Sequence, residues 1–262
     1  MVAFVSDLHV GSKYAVFPLG VQDENGVDLS ASMNKGQNQL LKYWSDFLHR
    51  CDKLKVDTVV LVGDAVQGLN PKEKGYGLMF PDMDLQMDAV VELLAPLVKD
   101  RNFHVLSGTL YHGSRDVRVH KFIAKELGGQ FDGNLKNYNL KGTNRRLNVA
   151  HHSSSATVYP MTPADREMLF YLHNVALGKV DWCDVFIRAH KHSFFHVHKN
   201  KIHWVQLPCW QCFVPYEGAV RSYSRFQPDI GGVVLLVDER DRIRVFHYLY
   251  PSVHISDFAK SL

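Results

Sequence analysis

Four nearly continuous apolar runs constrain this chain more than anything else in it: VAFV at 2–5, VDTVVLV at 56–62, FHVL at 103–106 and DVFIR at 184–188. Short runs rich in β-branched and aromatic residues, without polar alternation, read as strands covered on both faces. Each stops on polar side chains of one kind. Asp7 and His9 follow the first in SDLH, Gly63 and Asp64 the second, Thr109 and His112 the third in SGTLYHG, and His190 and His192 the fourth in AHKH. In an extended chain, residues two apart share a face, so Asp7 and His9 can converge on one point just past the strand end.

The segments between these runs predict helices and hairpins. NQLLKYWSDFLHRCDKL places Leu40, Trp44, Phe47, Leu48, Cys51 and Leu54 on one helical face. Asp82 or Asp84 caps a second helix through Leu97, and Pro96 predicts a kink or an early end. Residues 115–127 read as a third helix stopped by Gly128 and Gly129, and Thr162-Pro163 opens a fourth that runs toward Gly178. NYNLKGTNRRLNVA reads as a hairpin whose return strand ends in His151 and His152; FFHVHKNKIHWVQLP and GVVLLVDERDRIRVFHYLY read as two more. Strand, helix, strand implies parallel pairing. Parallel units first and hairpins later predict an α/β fold, a four-layer α-β-β-α sandwich of two mixed sheets flanked by helices. No repeat, low-complexity tract or linker divides residues 1–262, which are expected to form one domain.

Composition excludes several classes. With 46% hydrophobic and 22% charged residues the chain is neither disordered nor fibrous, and a net charge of +3 permits an anionic substrate without demanding one. No run reaches the 18 or so apolar residues of a membrane span, and VAFVSDLH begins without a basic segment or cleavage site, so no membrane partner and a cytoplasmic location (of a host cell if the protein is viral) are expected. Cys209 and Cys212 form a C-x-x-C with no second pair to close a zinc tetrahedron; with Cys51 and Cys183 they are expected to be free buried thiols. Phe194, Phe195, Trp204 and Trp210 read as core rather than as a base-stacking surface. His196, His198 and His203 read as hairpin faces, and His49, His104 and His120 as ordinary helix or strand residues.

Open α/β sheets bind ligands at the carboxyl ends of their strands. Five strands that deliver Asp, His, Asp, His and His-x-His to that edge supply the ligand set of a two-metal site. The series DLH, GDAVQG, GTLYHG, HH and AHKH, in this order over roughly residues 2–207, resembles the calcineurin-like metallophosphoesterases, and HHSSSA with VFIRAHKH is similar to their compact phage-type branch. The resemblance implies that Asp7, His9 and His192 hold a first metal, that Asp64 bridges two ions, and that His190 and His151 hold the second, with His152 competing for the place of His151. It implies a phosphoesterase using a metal-activated water, with two divalent ions (Mn²⁺ foremost, or Fe, Zn²⁺ or Mg²⁺) and a phosphoester substrate that extends to nucleic acid. Phosphodiester cleavage is the first expectation; a phosphomonoesterase and a non-catalytic phosphate-binding module are the alternatives.

Two departures from the family pattern matter. Ala189 replaces a usual glycine, a minor change unless the backbone there is left-handed. Thr109 replaces a metal-binding Asn, and Leu110 stands where the family has its acid His. His112 then has three readings: proton donor to the leaving oxygen, which the sequence favours; metal ligand; or loop residue. Arg115 is a candidate for neutralising phosphate.

Overall fold

A computed structural model describes residues 1–69, 75, 77–110, 112, 118–152, 159, 161–212 and 227–253. Its first sheet has six strands in the order β11-β10-β1-β2-β3-β4. These are β1 (Val2–Val5), β2 (Thr58–Val62), β3 (Asn102–Leu106), β4 (Gln130–Phe131), β10 (Ile230–Val237) and β11 (Ile243–Tyr250). β1 to β4 run parallel, whereas β10 returns antiparallel beside β1 and pairs with β11. The second sheet has the order β5-β6-β7-β9-β8, from β5 (Leu135–Asn139), β6 (Arg146–Ala150), β7 (Val185–Arg188), β8 (Phe195–Lys199) and β9 (Ile202–Gln206). There β6, β7 and β9 are parallel, and β5 and β8 are antiparallel edges.

The two sheets pack face to face because their strands are apolar on that side. Phe4, Val60, Val62 and Leu106 of the first meet Leu147, Val149, Ile187 and Val205 of the second in one buried cluster. On the outer face of the first sheet lie α1 (Lys35–Lys53), α2 (Met83–Val98) and α3 (Arg118–Glu126); Leu40, Trp44, Phe47 and Cys51 of α1, Leu93 and Leu97 of α2, and Ile123 of α3 belong to its cluster. On the outer face of the second, α4 (Thr162–Ala176) packs Ala164 and Met168 against Phe186, Ile202 and Trp204. The architecture is the four-layer α-β-β-α sandwich expected from the strand and helix signals.

Local sequence explains most element ends. Asn34 and Gln37 form a reciprocal capping box at the start of α1, and the Asp82 carboxylate accepts from Leu85 N at the start of α2. Pro96 sits two residues before the end of α2, in the last turn. Asn200 and Lys201 both have left-handed backbone, which suits the two-residue connection of β8 and β9. Helix α4 starts at Thr162 with Pro163 in its first turn but has no side-chain cap. The four cysteines are buried and unpaired, and Trp204 and Trp210 are core residues. No helix among the described residues is long and apolar enough to cross a membrane.

Ile187 is fully buried at the contact of the two sheets. Ile187→Ala is expected to cost about 2–5 kcal/mol. Urea denaturation should show it as an earlier midpoint with an unchanged slope; a loss below about 0.5 kcal/mol would mean that the sheets are not packed at this point.

Candidate metal centre

The chain delivers its acids and imidazoles at the carboxyl ends of five strands from both sheets. Asp7 and His9 follow β1, Asp64 follows β2, Thr109 and His112 follow β3, His151 follows β6, and His190 and His192 follow β7. Asp7, His9, Asp64 and His151 are almost completely buried, His112 and His192 partly, and His190 is exposed. Five of these residues have left-handed backbone: Asp7 (φ 50°), His9 (48°), Asp64 (43°), His190 (76°) and His192 (53°). That conformation costs an L-residue roughly 1–3 kcal/mol and is concentrated at functional sites. Ala189 is not among the left-handed residues, so its replacement of a glycine leaves the local backbone unstrained; the turn falls on His190 and His192 instead.

Three sets of side chains each bring one ligand atom per residue within 4.8 Å of the others: Asp7, Asp64, His151 and His190; Asp7, His9 and His192; and His9, Asp64 and His112. Asp7 Oδ1 joins the first two sets. It lies 3.1 Å from His192 Nε2, 3.8 Å from His9 Nε2 and 3.9 Å from His151 Nε2. The resemblance gives the bridging place to Asp64, which joins the first and third sets; in this geometry Asp7 is shared as well. His152 is exposed and lies outside the three sets, with its ring 5.4 Å from that of His151 and 5.0 Å from that of His190. Arg115 lies outside the described residues.

Neighbouring groups fix the orientation of the carboxylates. Ser6 Oγ donates to Asp7 Oδ2 at 2.7 Å, and His190 N donates to the same oxygen at 3.1 Å. Thr109 gives Asp64 two donors, its N–H at 2.6 Å and its hydroxyl at 3.0 and 3.1 Å from the two oxygens. The residue that departs from the family pattern therefore holds Asp64 in place. Gly108 allows this approach, since a Cβ there would sit 2.1 Å from Asp64 Oδ1, and a Cβ at Gly63 would meet the His151 ring at 2.5 Å. Sequence reasoning missed Ser6, because a serine before an acid carries no signal of its own. It also reads Cys209 as packing alone, whereas Cys209 is among the groups that raise the pKa of His192.

The donor set suits divalent cations. His151 Nδ1 lies 2.7 Å from the Val62 carbonyl, so it must donate its proton there. Its Nε2, 3.0 Å from Asp64 Oδ2, is the nitrogen that presents a lone pair whenever the ring is neutral. His9 Nε2 and His192 Nε2 face each other at 3.1 Å, and the buried His9 Nδ1 has no hydrogen-bond partner. Lone-pair nitrogens aimed at carboxylate oxygens describe a place for cations, and no thiolate is among the ligand atoms of the three sets.

Protonation follows from the same geometry. Burial raises the pKa of Asp7 and Asp64, but the surrounding imidazoles outweigh it and hold both well below the usual carboxylate range. Burial lowers His151, yet Asp64 and Asp7 raise it to about 9; His192 is raised well above its usual value against the same burial, by Cys209 and Asp7. Burial lowers His9 and His190 to about 4, helped by the neighbouring imidazoles of His112 and of His151 respectively.

Comparison of the sequence with protein-family models and with curated proteins finds no match. Comparison with solved structures finds an archaeal phosphodiesterase, 11% identical with a TM-score of 0.47, the match covering 94% of this chain and 99% of that one. It also finds the zinc complex of Vps29 from Entamoeba histolytica, 12% identical with a TM-score of 0.45 over 95% and 98% of the two chains. Vacuolar protein sorting 29 from Cryptosporidium parvum is 11% identical with a TM-score of 0.43 over 95% and 96%. The chemistry assigned to the centre rests on its own atoms.

The shifts predict how the metal-free protein responds to pH. His151 and His192 are raised above the unfolded value of 6.5, so their contribution is complete below pH 6.5 and is lost at higher pH, that of His151 as pH rises through about 9. His9 and His190 are lowered, so stability also falls as pH drops from 6.5 toward 4. In EDTA the melting temperature should peak near pH 6.5 and decline on both sides. With a divalent cation the decline above pH 6.5 should flatten or reverse, because binding displaces protons. A metal-free melting temperature that rises from pH 6.5 to 9 would contradict the assigned ion pairs.

Proposed function

We propose that this chain is a metallophosphoesterase of the calcineurin-like superfamily that hydrolyses phosphodiesters, nucleic acid among them. The observation that carries the reading is the convergence of Asp7, His9, Asp64, His151, His190 and His192 into overlapping ligand sets at one sandwich edge. Nothing else in ordinary packing requires two buried carboxylates, with both His9 and His151 keeping a buried ring nitrogen unpartnered. The sets Asp7–His9–His192 and Asp7–Asp64–His151–His190 would each hold one ion, and the nitrogen and oxygen ligands suit Mn²⁺, Fe or Zn²⁺. Bound there, the two ions would polarise a phosphoryl oxygen and lower the pKa of a water so that it attacks phosphorus in line with the leaving oxygen.

The chain's own residues prepare the site for this. Asp7 and Asp64 stay ionised, with two donors on each holding its carboxylate, so charge is present before substrate arrives. His151 is oriented by the Val62 carbonyl, which fixes its tautomer and turns Nε2 inward. His190, on the exposed side, stands where substrate enters. The diester preference is supported by the net positive charge and by the resemblance to phage-type enzymes; a location in the cytoplasm belongs to the same reading.

Hydrolysis of bis-p-nitrophenyl phosphate against p-nitrophenyl phosphate, with Mn²⁺ present, tests the substrate class. A higher kcat/KM for the diester is expected. Preference for the monoester would make the chain a phosphomonoesterase, and failure to hydrolyse either would make it a binding module. Asp64→Asn should lower kcat by more than about 100-fold while leaving the thermal unfolding cooperative; near wild-type turnover would contradict the two-metal reading.

A further inference from the structure

We propose that His112 is a metal ligand, acting with His9 and Asp64 on the first ion's side of the centre, and not the proton donor that the sequence favours. The inference rests on the metallophosphoesterase reading and deepens it. It starts from a hydrogen bond. His112 Nδ1 lies 2.7 Å from the Gln67 carbonyl oxygen, which can only accept, so Nδ1 carries the proton. Nε2 is thereby the lone-pair nitrogen. The same brace, a backbone carbonyl 2.7 Å from Nδ1, holds His151. A carbonyl behind one ring nitrogen is what fixes the tautomer of a metal-binding histidine. As a proton donor through Nε2, His112 would have to carry both protons and a full positive charge beside two cations.

Placement decides which ion it serves. Its ring packs edge-on against His9, with centroids 4.4 Å apart, and it shares a ligand set with His9 and Asp64 and none with His151 or His190. His112 therefore does not fill the gap left by the absent Asn at the second ion. The second set already contains four residues without it, Asp7, Asp64, His151 and His190, and Thr109 in the Asn position is engaged with Asp64. His112 instead joins the first side through His9, and its set makes Asp64 common to both sides.

The scaffold behind His112 is anchored for this. Gln67 N donates to the Val10 carbonyl at 2.8 Å, which ties the loop after β2 to the loop after β1. Gln211, within CWQC, gives its side-chain amide to Gln67 Oε1 at 2.9 Å. The carbonyl that orients His112 is thus set by the loops that follow β1 and β2, the strands whose ends carry Asp7, His9 and Asp64.

Mn²⁺ titration calorimetry, metal content after dialysis, and Mn²⁺ electron paramagnetic resonance test the assignment without reference to turnover. Wild type should bind two ions and show an exchange-coupled spectrum. His112→Ala should weaken one ion at least tenfold and show isolated Mn²⁺, and His112→Asp, which restores an oxygen ligand, should recover part of the loss. His9→Ala added to His112→Ala should leave one ion bound, whereas His151→Ala added to it should leave none. Retention of both ions with wild-type affinity in His112→Ala would overturn the assignment, and so would the opposite pattern in the double variants. Wild type binding no Mn²⁺ would overturn the metallophosphoesterase reading itself, and this assignment with it.

Discussion

Two carboxylates buried beside one another, Asp7 and Asp64, are the constraint around which the rest of this molecule is arranged. A buried carboxylate without compensation would neutralise itself by taking up a proton. Here imidazoles from both sheets surround the pair, Thr109 and Ser6 donate to it, and it stays ionised. Compensation by imidazolium is an imperfect answer, because His151 and His192 must then hold protons that burial disfavours. A divalent cation resolves the conflict, since it replaces both protons and uses the lone pairs that the ring nitrogens already aim inward.

Bringing these groups together strains the chain. Five of the site's residues take left-handed backbone, and all five lie just after β1, β2 or β7. The sandwich can hold them there because the strands just before are packed on both faces, β1, β2 and β7 against the opposite sheet and against helices outside. Each turn is also stapled to a neighbouring strand end: Asp7 N to the Gly63 carbonyl, His9 N to that of Asp64, and Ala189 N to that of His151. The rigid part of the fold thus sets the geometry, and the clustered acids and imidazoles sit on a few residues past its edge.

Much of this was legible in the sequence. The apolar runs gave the strands because continuous β-branched segments have few other ways to be buried, and the Asp and His residues just after them gave the edge that carries the site. The cap of α2 was legible as Asp82 or Asp84, and the structure places it on Asp82. Other features required the folded chain. Strand β4 is two residues long and has no pattern of its own. The position of His151 rather than His152 among the carboxylates depends on the pleat at one strand end. Thr109 reads in sequence as a damaged ligand position; only the distances to Asp64 show it as a donor that holds the carboxylate. Leu169 and Phe170 of α4, both exposed, carried no sequence signal against burial.

The central claim is that one edge of the sandwich holds two ions between the named acids and imidazoles. Anomalous scattering from crystals grown with Mn²⁺ tests it most directly. The account predicts two peaks about 3.5–4 Å apart, one within bonding distance of Asp7, His9 and His192 and the other within bonding distance of Asp64, His151 and His190. A single peak, or peaks coordinated by residues elsewhere in the chain, would contradict it.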